Sequence, residues 1–358
     1  MIMDFTPQHV SLFDSLKNRE QIPAGGGGDL RSLCAHAYED IISVENLLAA
    51  WREFLRGKRS KHDVQEFQHN LMDSVLALHR DLKNKTYIHG AYYAFNISDP
   101  KPRNIHKASV RDRLLHHAIY RKLYPFFDKT FIADSYSCRV GKGTHKAMNR
   151  FRAFANRVSK NHTRTARVLK CDIRKFFASV DQKILMNIVA RYISDPDIVW
   201  LIGQVVRSFN SGIVGKGLPL GNLTSQLLVN VYMSEFDQYA KHKLKAKYYV
   251  RYADDFVFLS DDKRWLESLL PRIAEFLATN LALSLHPDKV FIKTLTSGID
   301  FLGWEHFPDH RVLRWATRRR MKRWIREHPT AETIQSYRGL LSHGNAKKLR
   351  TMLKDLLL

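Results

Sequence analysis

Cysteine is scarce. Cys34, Cys138 and Cys171 are the three in 358 residues; they are odd in number, far apart and without a CxxC pair. Neither a zinc framework nor a disulfide set is expected, and most of them read as small buried apolar residues. No run of about 18 apolar residues occurs, which excludes an obvious membrane-spanning helix. The opening Met1-Ile2-Met3-Asp4 lacks the basic-then-apolar order of a signal peptide, so a cytoplasmic location without membrane attachment is expected. No repeat of 20 to 50 residues is visible. Acidic charge is short: 35 Asp and Glu stand against 58 Lys and Arg, leaving +23. Such a molecule repels itself unless a polyanion neutralises it, so nucleic acid is the leading partner and an anionic membrane the second. The apolar fraction of 44% and charged fraction of 26% are those of a globular chain. Its length suits two to three domains at roughly 150 residues each.

Glycine is concentrated in Gly25-Gly26-Gly27-Gly28, whose backbone freedom suits a linker or adaptable loop. Val44, Leu47, Leu48, Trp51 and Leu55 have helical spacing, as do Val64, Phe67, Leu71, Val75, Leu78 and Leu82. The basic RGKRSK between them reads as a solvated turn or a phosphate contact. Aromatic and β-branched stretches over 87–110, broken by Pro100 and Pro102, predict strands and turns, followed by a helix over 111–127. Further on, the pattern predicts a strand at 167–172, helices over 182–208 and 223–242, and a hairpin at 247–260. A helix over 263–279 and strands around 283–304 complete the series. This alternation indicates α/β or α+β layers. The tail from Arg311 onward holds thirteen Lys or Arg against Glu327, Glu332 and Asp355. With Trp315, Trp324 and Tyr337 interleaved, it reads as a helical module gripping phosphates.

The sharpest local signal is Tyr252-Ala253-Asp254-Asp255 between KYYVR and FVFLS. Adjacent carboxylates at a hairpin repel each other, and a divalent cation would relieve that conflict; a plain polar turn is the alternative. A further carboxylate, Asp172, ends the strand-like ARVLKCD. Together these oxygens suit hard cations such as Mg²⁺, and two ions about 3.5 to 4 Å apart stabilise an in-line phosphoryl displacement. Seventeen histidines invite a nuclease reading, but His116-His117 point in different directions on a helix and chelate poorly.

VLKCDIRKFFASVD, GLPLGNLTSQLLVNVY and YVRYADDFVFLS follow one another in the order and spacing of reverse transcriptase palm motifs, and the chain resembles that family. The resemblance extends through ISDPKPRNIHKASVRDRLLHHAI and DSYSCRVGKGTHKA upstream. Downstream it takes in LSLHPDKVFIK, GIDFLGWE and SYRGLLSHGNAKKLR, covering roughly residues 38–355. The variant GNLTSQ most resembles reverse transcriptases of diversity-generating retroelements and related bacterial, defence-associated enzymes. The resemblance implies an α+β right-hand polymerase. It divides into an N-terminal extension (1–37), a helical region with fingers (38–165), a palm of antiparallel sheet backed by helices (166–308) and a short basic helical thumb (309–358).

It further implies that Asp172, Asp254 and Asp255 hold two Mg²⁺ ions, with Mn²⁺ able to substitute, and that the Ile173 carbonyl adds a ligand. Lys289 matches the position of a lysine that protonates pyrophosphate. Lys101, Arg103 and Arg113 lie in segments that approach the triphosphate. Phe177 matches the aromatic under the incoming sugar, where a ring leaves no room for a 2′-hydroxyl. Leu220 and Gln226 stand where the common motif has Gln and Pro. Leu220 cannot hydrogen-bond, so lowered fidelity is expected, and Leu220→Gln should change the misincorporation spectrum. In the tail, Arg318, Arg319, Arg320, Lys322 and Arg323 are the candidate nucleic-acid contacts.

The expected activity is RNA-directed DNA synthesis on an RNA template, taking dNTPs and yielding cDNA. A dedicated non-coding RNA and an accessory RNA-binding protein or homo-oligomer are the expected partners. Diversification of a retroelement target and antiviral cDNA synthesis are the two roles in view. A catalytically inactive RNA-binding protein is the remote alternative, opposed by the intact carboxylates, and an RNA polymerase is opposed by Phe177.

Overall fold

The computed structural model describes residues 37–98 and 102–355, with side chains through 353. The glycine tract, Cys34 and Lys101 lie outside the described residues. Helices α1 (Tyr38–Ile42), α2 (Val44–Phe54), α3 (His62–His69) and α4 (Leu71–Lys83) come first. The single helix expected across Val64–Leu82 is broken at Asn70, whose backbone leaves the helical region. Strands β1 (Tyr93–Ile97) and β2 (Arg103–Lys107) pair antiparallel. Next are α5 (Val110–Thr130), the long helix on which α2 packs, and α6 (Thr144–Val158), a helix the sequence pattern did not announce.

The central sheet is antiparallel, in the order β4-β5-β3-β6. Its strands are β3 (Arg167–Asp172), β4 (Tyr249–Tyr252), β5 (Asp255–Ser260) and β6 (Phe291–Thr294). Between β3 and β4 run α7 (Phe176–Ser179), α8 (Gln182–Tyr192), α9 (Pro196–Arg207) and α10 (Leu223–His242). The helices expected over 182–208 are α8 and α9, parted where Asp195 caps a new start and Pro196 occupies its first turn. α11 (Lys263–Leu281) follows β5.

Alternation along the strands sends side chains to two covered faces. Leu169, Cys171, Tyr249, Phe256 and Phe258 join the core built with α10 and α11. Val168, Val250, Val257 and Leu259 join Phe151 and Phe154 of α6. Both faces are therefore apolar, which explains the near-continuous hydrophobic runs of β3 and β5. The same alternation puts Lys170 and Asp172 on the α6 face and Arg251 on the α10 face.

A second antiparallel sheet comprises β7 (Ile299–Phe301), β8 (Trp304–His306) and β9 (Arg311–Leu313). β9 lies in the tail read as wholly helical, and the β8–β9 hairpin straddles the expected palm–thumb boundary at 308/309. Helices α12 (Trp315–Glu327), α13 (Ala331–Leu341) and α14 (Lys347–Asp355) complete an α+β fold, packing their own small core against Trp304 and Met148. Among the described residues no helix is long and apolar enough to cross a membrane.

Candidate active site

Antiparallel pairing of β3 with β5 makes Asp172 and Asp255 direct partners at the end of the ladder. Asp254 sits in the two-residue turn between β4 and β5, after Ala253, whose φ of +55° is unusual for a residue with a Cβ. The Ile173 N–H donates to the Asp254 carbonyl at 3.2 Å and ties the end of β3 to that turn. The His286 N–H donates to the Asp172 carbonyl at 2.7 Å, which brings the 286–289 segment alongside.

Lys289 Nζ reaches Asp172 Oδ1 at 2.8 Å, and Lys170 Nζ lies 3.5 Å from Asp255 Oδ2. Burial, then the charge of Asp172, raises the Asp254 carboxyl above its ordinary value. Asp255 is pushed up to about 7, chiefly by burial; Lys170 pulls it down, while Asp254 and Asp172 add to the rise. Asp255 Oδ1 is buried without a hydrogen-bond partner.

The three sequence-predicted carboxylates are thus neighbours, and the charge of Asp172 adds to the rise on both Asp254 and Asp255. Among the described residues, no group of three or more His, Cys, Asp or Glu stands ready to hold an ion. The two outer carboxylates instead have ammonium partners, where the sequence reading had expected a cradle for cations. The all-oxygen donor set and the orphaned buried oxygen fit a hard cation, which would satisfy Oδ1 and relieve the repulsion.

Arg103, exposed at the start of β2, is close enough for its charge to lower the Asp254 carboxyl. Arg113 is not brought here: its guanidinium pairs with Asp63 at 2.6 Å and lies over the Phe54 ring, which occupies it within the N-terminal helices. Phe177 is half-buried on α7, and its carbonyl accepts the Leu218 N–H at 2.9 Å. Leu220 is half-buried, its carbonyl accepting the His106 N–H at 3.2 Å. Next to it Gly221, at φ +103°, lies so close to β2 that a Cβ would come within 3.1 Å of Ile105 Cγ2. Gln226 is half-buried in the first turn of α10.

Along α12, Arg318, Arg319, Lys322 and Arg323 are exposed and Arg320 is half-buried, with Arg319 over the Trp315 ring. His116 is buried against His89, and Cys171 is buried in the core, as their sequence contexts suggested. Sequence reasoning missed Lys170 and Arg251. A basic residue inside a strand whose neighbours are all apolar was the available signal for both.

The family described as "Reverse transcriptase (RNA-dependent DNA polymerase)" matches residues 97–306, more than half of the chain. The chain is 26% identical over 258 residues to "Protein YkfC" of Escherichia coli K12, covering 62% of this chain and 66% of that protein. It is 23% identical over 214 residues to the "Putative COX1/OXI3 intron 2 protein" of Saccharomyces cerevisiae, covering 42% of this chain and 24% of that protein. It therefore spans just under two thirds of the length of the first of these curated relatives and about a quarter of the second. Among solved structures, apo telomerase from Candida tropicalis truncated from its C-terminal domain superposes with a TM-score of 0.48 at 13% identity, covering 64% of this chain and 55% of that one. Telomerase from Candida albicans, complexed with a TWJ fragment of telomeric RNA, superposes at 0.47 and 12%, covering 63% and 47%. On the match over residues 97–306, the chain belongs to the reverse transcriptase family.

Proposed function

We propose that the chain is an RNA-directed DNA polymerase that extends a primer 3′-hydroxyl with dNTPs on an RNA template, yielding cDNA. The observation that carries this reading is the pairing of Asp172 with Asp255, beside Asp254, around a buried carboxylate oxygen that has no partner. In a strongly basic chain built to meet a polyanion, carboxylates clustered in this way serve no binding purpose of their own.

Asp172, Asp254, Asp255 and the Ile173 carbonyl would hold two Mg²⁺ ions, or Mn²⁺ in their place. When bound, these supply activation of the 3′-hydroxyl and neutralise charge on the triphosphate. Lys289, whose ammonium already reaches Asp172, is the proton donor to the departing pyrophosphate. Arg103 faces the triphosphate, and Phe177 closes the space a 2′-hydroxyl would need. The exposed cations of α12 hold the duplex by its phosphates, so binding should weaken steeply with salt. In this reading residues 38–165, 166–308 and 309–358 act as fingers, palm and thumb.

GNLTSQ, from Gly221 to Gln226, supports work in a diversity-generating retroelement with a dedicated template RNA and an accessory RNA-binding protein. Primer extension on poly(rA)/oligo(dT), with dTTP compared against UTP, tests the chemistry: extension with dTTP alone is expected, and binding without extension would overturn it. Sequencing of co-purified RNA and cDNA tests the role. A template repeat matching a neighbouring variable gene is expected; a structured RNA without such a repeat would favour the antiviral alternative.

A further inference from the structure

Arg251 lies three residues before Asp254, on the face of β4 turned away from Asp172, and is fully buried. An arginine carries five N–H donors in a rigid fork. Each one here has an acceptor. Nε and Nη2 grip the two oxygens of Asp237 on α10 at 2.8 and 2.7 Å. Nη2 also reaches Ser135 Oγ at 3.0 Å, and Nη1 reaches Asn230 Oδ1 on α10 at 3.3 Å. The fifth bond, from Nη1, goes at 3.0 Å to the carbonyl of Ala253, the residue at φ +55° that opens the carboxylate turn. Asp237 is itself fully buried and accepts the Tyr249 hydroxyl at 2.8 Å.

Stability alone is a poor reason for this arrangement. A buried ion pair pays heavily for desolvation, and well-packed apolar residues of similar volume often serve the fold as well. A left-handed conformation also costs a residue with a Cβ about 1 kcal/mol, so the turn needs something to hold it. We propose that Arg251 is a positioning residue: anchored to α10 through Asp237 and Asn230, it holds the Ala253 carbonyl and thereby sets where Asp254 and Asp255 present their oxygens to divalent cations. This rests on the polymerase reading of the same carboxylates. It adds that α10, whose first turn carries the end of the GNLTSQ segment, and the carboxylate turn are joined by one side chain.

The test compares wild type with Arg251→Lys, and with a triple variant, Arg251→Met with Asp237→Leu and Tyr249→Phe, that removes the buried charges together. Thermal melting and primer–template binding without divalent ions report the fold. Mn²⁺ binding followed by electron paramagnetic resonance reports the carboxylates without any turnover. The Mg²⁺ concentration for half-maximal extension reports them at work. The triple variant should melt and bind nucleic acid like wild type, while its Mn²⁺ affinity drops and its Mg²⁺ requirement rises by about 10- to 100-fold, as when groups that orient metal ligands are lost. Arg251→Lys, which keeps the charge but not the fork, should fall between. A folded triple variant with wild-type Mn²⁺ affinity would overturn the proposal. If the triple variant does not fold, a destabilised Arg251→Lys with unchanged Mn²⁺ affinity would do the same. Failure of wild type to extend primers would instead overturn the polymerase reading, and the Mn²⁺ comparison would still decide the role of Arg251.

Discussion

Asp172 and Asp255 face each other as direct partners across the β3–β5 ladder, with Asp254 in the adjoining turn. Like charges placed opposite one another in a sheet oppose folding. Asp255 is pushed up to about 7 chiefly by burial, and the charges of Asp254 and Asp172 add to the rise. An acid whose folded value is raised contributes its stability fully below the ordinary 3.8 and loses it as pH climbs through about 7. Asp255→Asn removes that loss. In Mg²⁺-free buffer at pH 8 the variant should be more stable than wild type by about 1 kcal/mol, read by melting. Its extension rate should fall by at least about 100-fold, because the cation-binding oxygen is gone. A variant both less stable and fully active would be the opposite outcome.

Phe177 offers a separate handle on sugar choice. It is half-buried on α7 and its carbonyl is fixed by Leu218, so the ring has a defined place. Phe177→Ala opens the space without touching a carboxylate. Single-nucleotide extension should show the preference for dNTP over rNTP shrinking at least about ten-fold, with dNTP incorporation retained. Unchanged selectivity would remove Phe177 from the gate.

The terminal helices are seated by Gly344. A Cβ there would overlap the Trp304 ring, and the neighbouring Asn345 N–H and His343 carbonyl both bond Arg311. Gly344→Ala therefore has to push this turn off the β8–β9 hairpin, an overpacking cost of about 1 to 3 kcal/mol. Addition of one nucleotide should survive, while product length in a single binding event shortens. Full-length products at the wild-type yield would count against this seating.

Acid should loosen the same contact. His145 on α6 stacks on His343, ring centroids 3.4 Å apart, with Arg311 beside both. Burial, then the neighbouring positive groups, lowers the basicity of both imidazoles. A base with a lowered folded value contributes stability that is present above 6.5 and is lost as pH falls below it. Product length per binding event should therefore shorten below about pH 6.5, and His145→Phe should flatten that dependence.

Much of the sheet could be read directly. β3 at 167–172 and α10 at 223–242 were expected where they lie, because both are rich in apolar residues and bounded by polar ones. α6 went unread although Ala147, Met148, Phe151, Phe154, Ala155 and Val158 fall at helical spacing on its buried side. β9 reads as part of the helical tail because three residues show no period. The Asp254–Asp255 turn was legible as a local motif. The hold on it was not, because Ser135, Asn230 and Asp237 reach Arg251 from far along the chain and only tertiary packing unites them. Arg113 misled for the converse reason: a basic residue in the expected segment was already paired with Asp63.

The most direct test of the central claim is single-nucleotide extension of a DNA primer on an RNA template, comparing wild type with the double variant Asp254→Ala and Asp255→Ala, with and without Mg²⁺. Wild type should extend only when Mg²⁺ is present, and the double variant should bind the same duplex yet add nothing. Extension by the double variant at the wild-type rate would contradict the assignment of these carboxylates as the seat of DNA synthesis.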